Sequence, residues 1–391
     1  MTTIIAGNGG AAAESIKALR RGGDTSEIHV FTNSDSPPFN PTLLTYLISG
    51  EIEYKNLFPY NDDLYDMCGA KLHSGSKLVK LDALNKTVEN DAGTNMSYDN
   101  CIVCTGASPV IPKAYQEKDV FTIRSLQDAL ALKERISADK KALVVGASMI
   151  GVKVAEALVK QGVEVSLTDT QAHIFPLTAH ADCAILIEKH ISALGIQLLF
   201  GTDKLDHSLY DIIVVCVGVK PNIGFIDKSQ VDTGEGIYVD RFMRTNCQNL
   251  YAAGDCAQVR DRGSGDIVVA PGLWASARYM GRTAGFNIAG KNEVCCEVVR
   301  HNITHFFGMD FVSIGDVNKG DDVFEMESGG KYCRITWKDN RIIGVNLLNM
   351  PEISGILKSQ SLKCIDFSNI ALSRVFSRYP LIREAFQKRG A

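Results

Sequence analysis

Two short glycine-rich runs carry residue types at a spacing that can do chemistry: Gly7-Asn8-Gly9-Gly10-Ala11-Ala12 and Gly146-Ala147-Ser148-Met149-Ile150-Gly151. In the first, Gly7 permits a tight bend, Gly9 lets backbone approach a pyrophosphate, and Ala12 allows a helix to pack closely on a strand. A helix opening directly after such a turn aims free N–H groups and a partial positive charge at phosphates. The implied chemistry is dinucleotide binding. Two such turns in one chain imply electron exchange between two bound dinucleotides, FAD and a nicotinamide cofactor.

Each turn departs from the ideal pattern. An acid commonly follows the second strand to bind ribose hydroxyls, but Asn33 stands there in the first unit. Its amide oxygen still accepts a hydroxyl proton, with less charge assistance. In the second turn Ser148 replaces the middle glycine, so its Cβ shifts a pyrophosphate outward while its hydroxyl can donate to a phosphate oxygen. Asp169, 23 residues beyond Gly146, stands where a carboxylate binds both ribose hydroxyls and repels a 2′-phosphate, favouring NADH over NADPH. The alternative for Asp169 is a solvated loop acid.

The elements that must hold these turns follow from hydrophobic periodicity. Thr3 to Ala6 is a strand, about Ala11 to Arg21 a helix, and Ile28 to Phe31 a strand, with Gly22-Gly23-Asp24 as a helix stop. The plan repeats as strand Ala142 to Val145, helix Met149 to Gln161 and strand Val163 to Leu167. Ser36-Pro37-Pro38-Phe39-Asn40-Pro41 is too rich in proline for an element interior and reads as a loop entering a site. The apolar runs Tyr98 to Cys104 and Asp211 to Val217 lead into Thr105-Gly106 and Gly218 as later strands. A further strand ends in Gly254-Asp255, and a helix covers Leu273 to Ile288. Lys331 to Trp337 and Arg341 to Leu348 alternate like paired strands around a polar turn.

Bulk properties narrow the class. The 391 residues, 45% apolar and 22% charged, suit a globular protein of two or three domains. A net charge of −4 without a basic domain argues against nucleic acid. The chain has neither a signal-peptide pattern nor an apolar run long enough to span a bilayer, so a cytoplasmic protein is expected. The eleven cysteines are odd in number and lack metal-ligand spacing, so no metal is expected. Cys101 and Cys104 sit three apart on a strand and face opposite sides, which disfavours a disulfide. They and Cys216 read as core, and Cys295-Cys296 as structural.

In order along the chain, Gly7–Ala12, the proline-rich loop, Tyr98-Asp99 into Thr105-Gly106, Gly146–Gly151, Val217-Gly218-Val219-Lys220-Pro221-Asn222 and Ala253-Gly254-Asp255 resemble the signatures of the FAD- and NAD(P)-dependent pyridine nucleotide–disulfide oxidoreductases. The likeness covers nearly the whole chain. It is nearest to the short branch of coenzyme A disulfide reductases, NADH oxidases and NADH-dependent rubredoxin reductases.

The resemblance implies an α/β fold of two Rossmann-like, three-layer ββα domains, the second inserted in the first, then a C-terminal α+β interface domain, usually in a homodimer. Its boundaries would be 1–112 with 241–292 for FAD, 113–240 for NADH and 293–391 for the interface domain. It assigns Gly9, Gly10, Ala11, Asn33 and Pro41 to FAD, Thr105-Gly106 to a crossover beside it, and Gly254-Asp255 to the ribityl chain. The helix from Leu273-Trp274 would point at the flavin, with Trp274 as core the alternative. Gly146, Ser148, Met149, Ile150, Gly151, Asp169 and Gly218 fall to NADH.

Thiol-using relatives carry a cysteine in the proline-rich loop, and here Thr42 takes its place, with Pro41 and Tyr46 nearby. A threonine hydroxyl is neither a redox couple nor, unaided, a nucleophile. The resemblance therefore implies hydride transfer from NADH to flavin N5, then direct passage to an acceptor. That acceptor would be a rubredoxin- or ferredoxin-like carrier, a quinone or a small organic substrate. Lys153 replaces a common glutamate, either near the nicotinamide or as a solvent-facing lysine. The alternative function is an electron-transfer subunit with weak or no NADH use. Arg374, Arg378, Arg383, Lys388 and Arg389 either dock an acidic carrier or form a solvated helix face.

Overall fold

The computed structural model describes residues 1–60, 63–202, 205–260, 267–270, 272–295, 300–339, 341–361 and 378–387. The chain divides into two compact units. One is Met1–Arg135, Gly218–Arg260 and Asp266–Val298; the other is Ile136–Val217, Asp261–Gly265 and Val299–Ala391. Each parallel sheet thus has a unit of its own, and the second is inserted in the sequence of the first. The units group residues 113–135 and 218–240 with the first sheet, and the C-terminal segment with the second.

In the first unit five parallel strands run in the order Leu250–Ala252, Asn100–Val103, Thr2–Ala6, Glu27–Phe31, Ala70–His73. Ile4 and Ile5 on the central strand are fully buried, as both faces of a parallel sheet require. The helix Gly10–Gly22 stops at Gly23, whose φ of 89° lets its own N–H return to Arg20 O while Asp24 N reaches Leu19 O. That helix packs on the helix Trp274–Ile288, where a Cβ on Gly281 would fall 2.0 Å from Ala11 O and one on Gly285 2.4 Å from Ser15 O. Two glycines let the backbones touch. Leu273 is the N-cap rather than the first helical residue.

In the second unit the parallel order is Gln197–Phe200, Glu164–Asp169, Lys141–Val145, Ile212–Val215. The helices Met149–Lys160 and Ala181–Ala193 belong to the same unit. A five-stranded antiparallel sheet follows in the order His301–Phe306, Met309–Gly315, Arg341–Leu348, Lys331–Lys338, Asp322–Ser328. The expected hairpin is its Lys331–Lys338 and Arg341–Leu348 pair. Among the described residues no helix is long and apolar enough to cross a membrane.

Candidate cofactor site

The first turn uses its three glycines for three different reasons. Gly7 donates to Phe31 O at 2.7 Å with φ 111°, and a Cβ there would fall 2.2 Å from Cys104 O. Gly9 is the N-cap, and a Cβ on it would meet nothing within 4 Å, because that side opens into a cavity. Gly10 leaves room for an indole: its Cβ would fall 2.5 Å from the Trp274 ring. Trp274 therefore borders the cavity and, partly buried, also packs on the turn.

The cavity has a volume of about 700 Å³, within the range of cofactor pockets. Gly7, Gly9, Gly10 and Ala11 form one wall, while Ala12 is fully buried behind them in the helix–sheet packing. Asn33, Pro41 and Thr42 line it, as do Thr105 and Gly106, Gly254 and Asp255, and Leu273. Tyr46, on the short helix Leu44–Ile48, is not among the lining residues. Asn40 caps the turn Pro41–Leu43: its Oδ1 accepts from Thr42 N at 3.1 Å and from Thr42 Oγ1 at 2.7 Å. The Thr42 proton is thereby committed to Asn40.

Three further residues shape the cavity: Arg124 lies outside every motif, while Asn8 and Asn222 lie inside two of them without a role assigned. Arg124 Nη2 donates to Asp255 Oδ2 at 2.6 Å, placing a cation beside the carboxylate. Asn8 joins the glycine turn to the proline-rich loop, donating to Ser36 O at 3.0 Å and accepting from the Tyr65 hydroxyl. Asn222 closes the crossover: its N donates to Gly106 O at 2.9 Å, its Nδ2 to Thr105 O at 3.1 Å, and Thr105 Oγ1 donates to Asn222 O at 2.7 Å. The glycine cradle, the helix N-terminus and Arg124 together suit a dinucleotide diphosphate.

Among the described lining residues Cys104 is the only cysteine, and its thiol is buried beside Ser15, where burial pushes it well above the ordinary range. Burial likewise pushes the Cys101 and Cys216 thiols up to about 12. None of the three is in a disulfide, and Cys295 is buried; Cys296 lies outside the described residues.

The second turn repeats the geometry of the first. Gly146 donates to Thr168 O at 2.7 Å with φ 105°, and its Cβ would fall 2.6 Å from Cys216 O. A Cβ on Gly151 would lie 1.9 Å from Gly146 O, so no side chain fits there. Ser148 corrects an expectation. As N-cap its Oγ accepts from Gly151 N at 3.2 Å and donates to Cys216 O at 2.9 Å, which uses the one proton that a phosphate would need. Met149 and Ile150 open the helix, with Ile150 exposed, and Gly218 adopts φ 126°.

Asp169 is fastened to this turn rather than loose in a loop, its Oδ2 accepting from Ala147 N at 2.8 Å and its Oδ1 from Gln171 N at 2.9 Å. Lys153 is not a solvent-facing lysine: its side chain is 13% exposed and donates to Glu156 Oε2 at 2.5 Å and His305 O at 2.9 Å. Of the C-terminal basic residues Arg378 is exposed and Arg383 half-buried; Arg374, Lys388 and Arg389 lie outside the described residues.

Two glycine-turn modules, one with a large cavity and a guanidinium beside its carboxylate, define an FAD-containing NAD(P)H oxidoreductase. The chain belongs to the pyridine nucleotide-disulphide oxidoreductase family, whose model matches residues 1–281. It is 29% identical over 390 residues to the NADH-dependent phenylglyoxylate dehydrogenase subunit epsilon of Aromatoleum evansii, covering 93% of this chain and 92% of that one. It is 28% identical over 393 residues to the assimilatory nitrate reductase electron transfer subunit of Bacillus subtilis, covering 93% of this chain and 50% of that one. In fold it is similar to the crystal structure of NADH:rubredoxin oxidoreductase from Clostridium acetobutylicum, with a TM-score of 0.82, 23% identity, and coverage of 97% and 100% of the two chains.

Proposed function

We propose that this chain is an FAD-dependent NADH:acceptor oxidoreductase that works without a cysteine relay. When bound, the two cofactors supply the redox chemistry, a hydride from NADH to flavin N5 and electrons onward to the acceptor. The protein's part is to bind, orient and exclude. The Gly7–Ala12 turn, Arg124 and Asp255 hold FAD, with Thr105-Gly106 and the Leu273-Trp274 helix start beside it. The Gly146–Gly151 turn and Asp169 hold NADH in preference to NADPH. Thr42 and Tyr46 serve the FAD turn's reacting side, and Lys153 serves the NADH turn. The three-domain division at 112/113, 240/241 and 292/293, and a homodimer, are part of the same reading.

The observation that carries the absence of a relay is the cavity wall. Thr42 stands at the loop position with its hydroxyl tied to Asn40, and the one bordering cysteine among the described residues, Cys104, keeps a buried thiol. Electrons then pass directly to a protein carrier of the rubredoxin or ferredoxin type, a quinone or a small organic molecule. Two relatives support a protein acceptor, because their names describe a dehydrogenase subunit and a nitrate reductase electron transfer subunit.

The name of the nitrate reductase relative favours a second reading, a flavoprotein subunit that exchanges electrons with a protein partner and uses NADH weakly or not at all. Anaerobic addition of NADH separates the two. The first reading requires the yellow colour to bleach, and the second requires it to persist.

A further inference from the structure

The helix Met149–Lys160 grows from the second glycine turn, and its first turns reach the bend between strands His301–Phe306 and Met309–Gly315 of the same unit. Glu156, 3% exposed, accepts from Phe307 N at 2.9 Å through Oε1 and from Lys153 Nζ at 2.5 Å through Oε2. Lys153 donates onward to His305 O at 2.9 Å, and Lys160 Nζ lies 3.2 Å from Glu156 Oε1. His190 Nε2 donates to Phe307 O at 2.8 Å. Both backbone polar groups of Phe307 are thus taken by side chains of the dinucleotide-turn module, and Phe307 itself sits at φ 50° in the left-handed region.

A second chain of contacts converges on the same bend. Phe175 N donates to Ala147 O, inside the glycine turn, at 2.9 Å. The Phe175 ring meets buried Phe306 edge-on at 5.4 Å and stacks on Phe311 at 5.1 Å. Burying a carboxylate is costly unless it is paired and hydrogen-bonded, and here burial works against the Glu156 charge while Lys153, Phe307 N and Lys160 outweigh it and hold its carboxyl below the ordinary range. A mere surface fastening needs no such site.

We propose that Lys153 and Glu156 are positioning residues that couple dinucleotide occupancy of the second glycine turn to the setting of the 305–308 bend. Lys153 is then explained by its partners, the Glu156 carboxylate and the His305 carbonyl. The inference rests on the reading of this turn as the NADH site.

The test is hydrogen exchange of the flavin-loaded enzyme with and without saturating NAD⁺, which binds without reducing the flavin. The coupling predicts that NAD⁺ slows exchange at Phe307 and its neighbours by about tenfold, and that Glu156→Gln and Lys153→Met each abolish that response while NAD⁺ still protects the glycine turn. Lys153→Arg should restore part of it. Should Glu156→Gln not fold, the wild-type response and the Lys153 pair decide alone. Bound NAD⁺ with no change at the bend, or an undiminished change in the variants, overturns the coupling. A parallel equilibrium titration with NAD⁺ distinguishes this from failure to bind at all, which would overturn the NADH-site reading as well.

Discussion

Arg124 and Asp255, 131 residues apart in the chain, meet at 2.6 Å on the wall of the first glycine-turn cavity. Asp255 is buried, so the pair it makes with that guanidinium is shielded from water. Truncating one member of a buried, hydrogen-bonded charge pair costs about 2–5 kcal/mol. Arg124→Ala should therefore weaken FAD binding by about thirtyfold or more, read by quenching of flavin fluorescence on reconstitution. Unchanged affinity would remove Arg124 from the site.

The glycines of the first turn predict opposite phenotypes two residues apart. Gly7→Ala places a Cβ 2.2 Å from Cys104 O at a φ of 111°, so it should destabilise the fold by about 3 kcal/mol or more. Gly9→Ala meets nothing within 4 Å and should fold with a Tm within a few degrees of the parent, yet hold FAD about tenfold less tightly. Thermal melts of the two apoproteins beside flavin titrations check the contrast.

The turns and their flanking elements were legible because each depends on local pattern. Strand, glycine bend and helix start lie within about twenty residues, and a residue such as Gly7 is constrained by backbone geometry that its type advertises. Asn33, Thr42 and Asp255 all reach the cavity for the same reason, since strand ends and the loops after them point there. What remained hidden depends on partners distant in sequence. Nothing near Arg124 announces Asp255, and Ser148 could not be known to spend its proton on Cys216 O. Of the two readings of Lys153, the solvent-facing one fails because the bend at His305, distant in sequence, covers it.

Nucleotide preference should depend on Asp169. Its carboxylate is held by Ala147 N and Gln171 N at the strand end, where a 2′-phosphate would meet like charge. The enzyme should favour NADH over NADPH by about a hundredfold in kcat/KM, and Asp169→Asn should narrow the ratio by about tenfold. Comparable kcat/KM for both nucleotides in the parent would remove this role.

Stability should carry an acid-dependent term from Glu14. Its Oε1 accepts from Arg278 Nη2 at 2.9 Å and from the Tyr60 hydroxyl at 3.1 Å, tying the two packed helices together. Burial opposes its charge, but Arg278 and Lys17 outweigh that and hold the carboxyl below the ordinary glutamate range. A depressed folded pKa contributes stability at pH above the unfolded value and loses it as pH falls through the folded one. Glu14→Gln should therefore lower Tm by about 2–5 °C near pH 7 and by progressively less below about pH 4. An equal loss at both pH values would contradict this.

The absence of a sulfur relay is tested most directly by counting electrons. Anaerobic titration of the purified, flavin-loaded enzyme with NADH should bleach the flavin completely at about one equivalent per FAD, with no long-wavelength band from a thiolate stacked on the ring. Uptake of a second equivalent before the endpoint, accompanied by such a band, would reveal a disulfide accepting electrons beside the flavin and contradict the account.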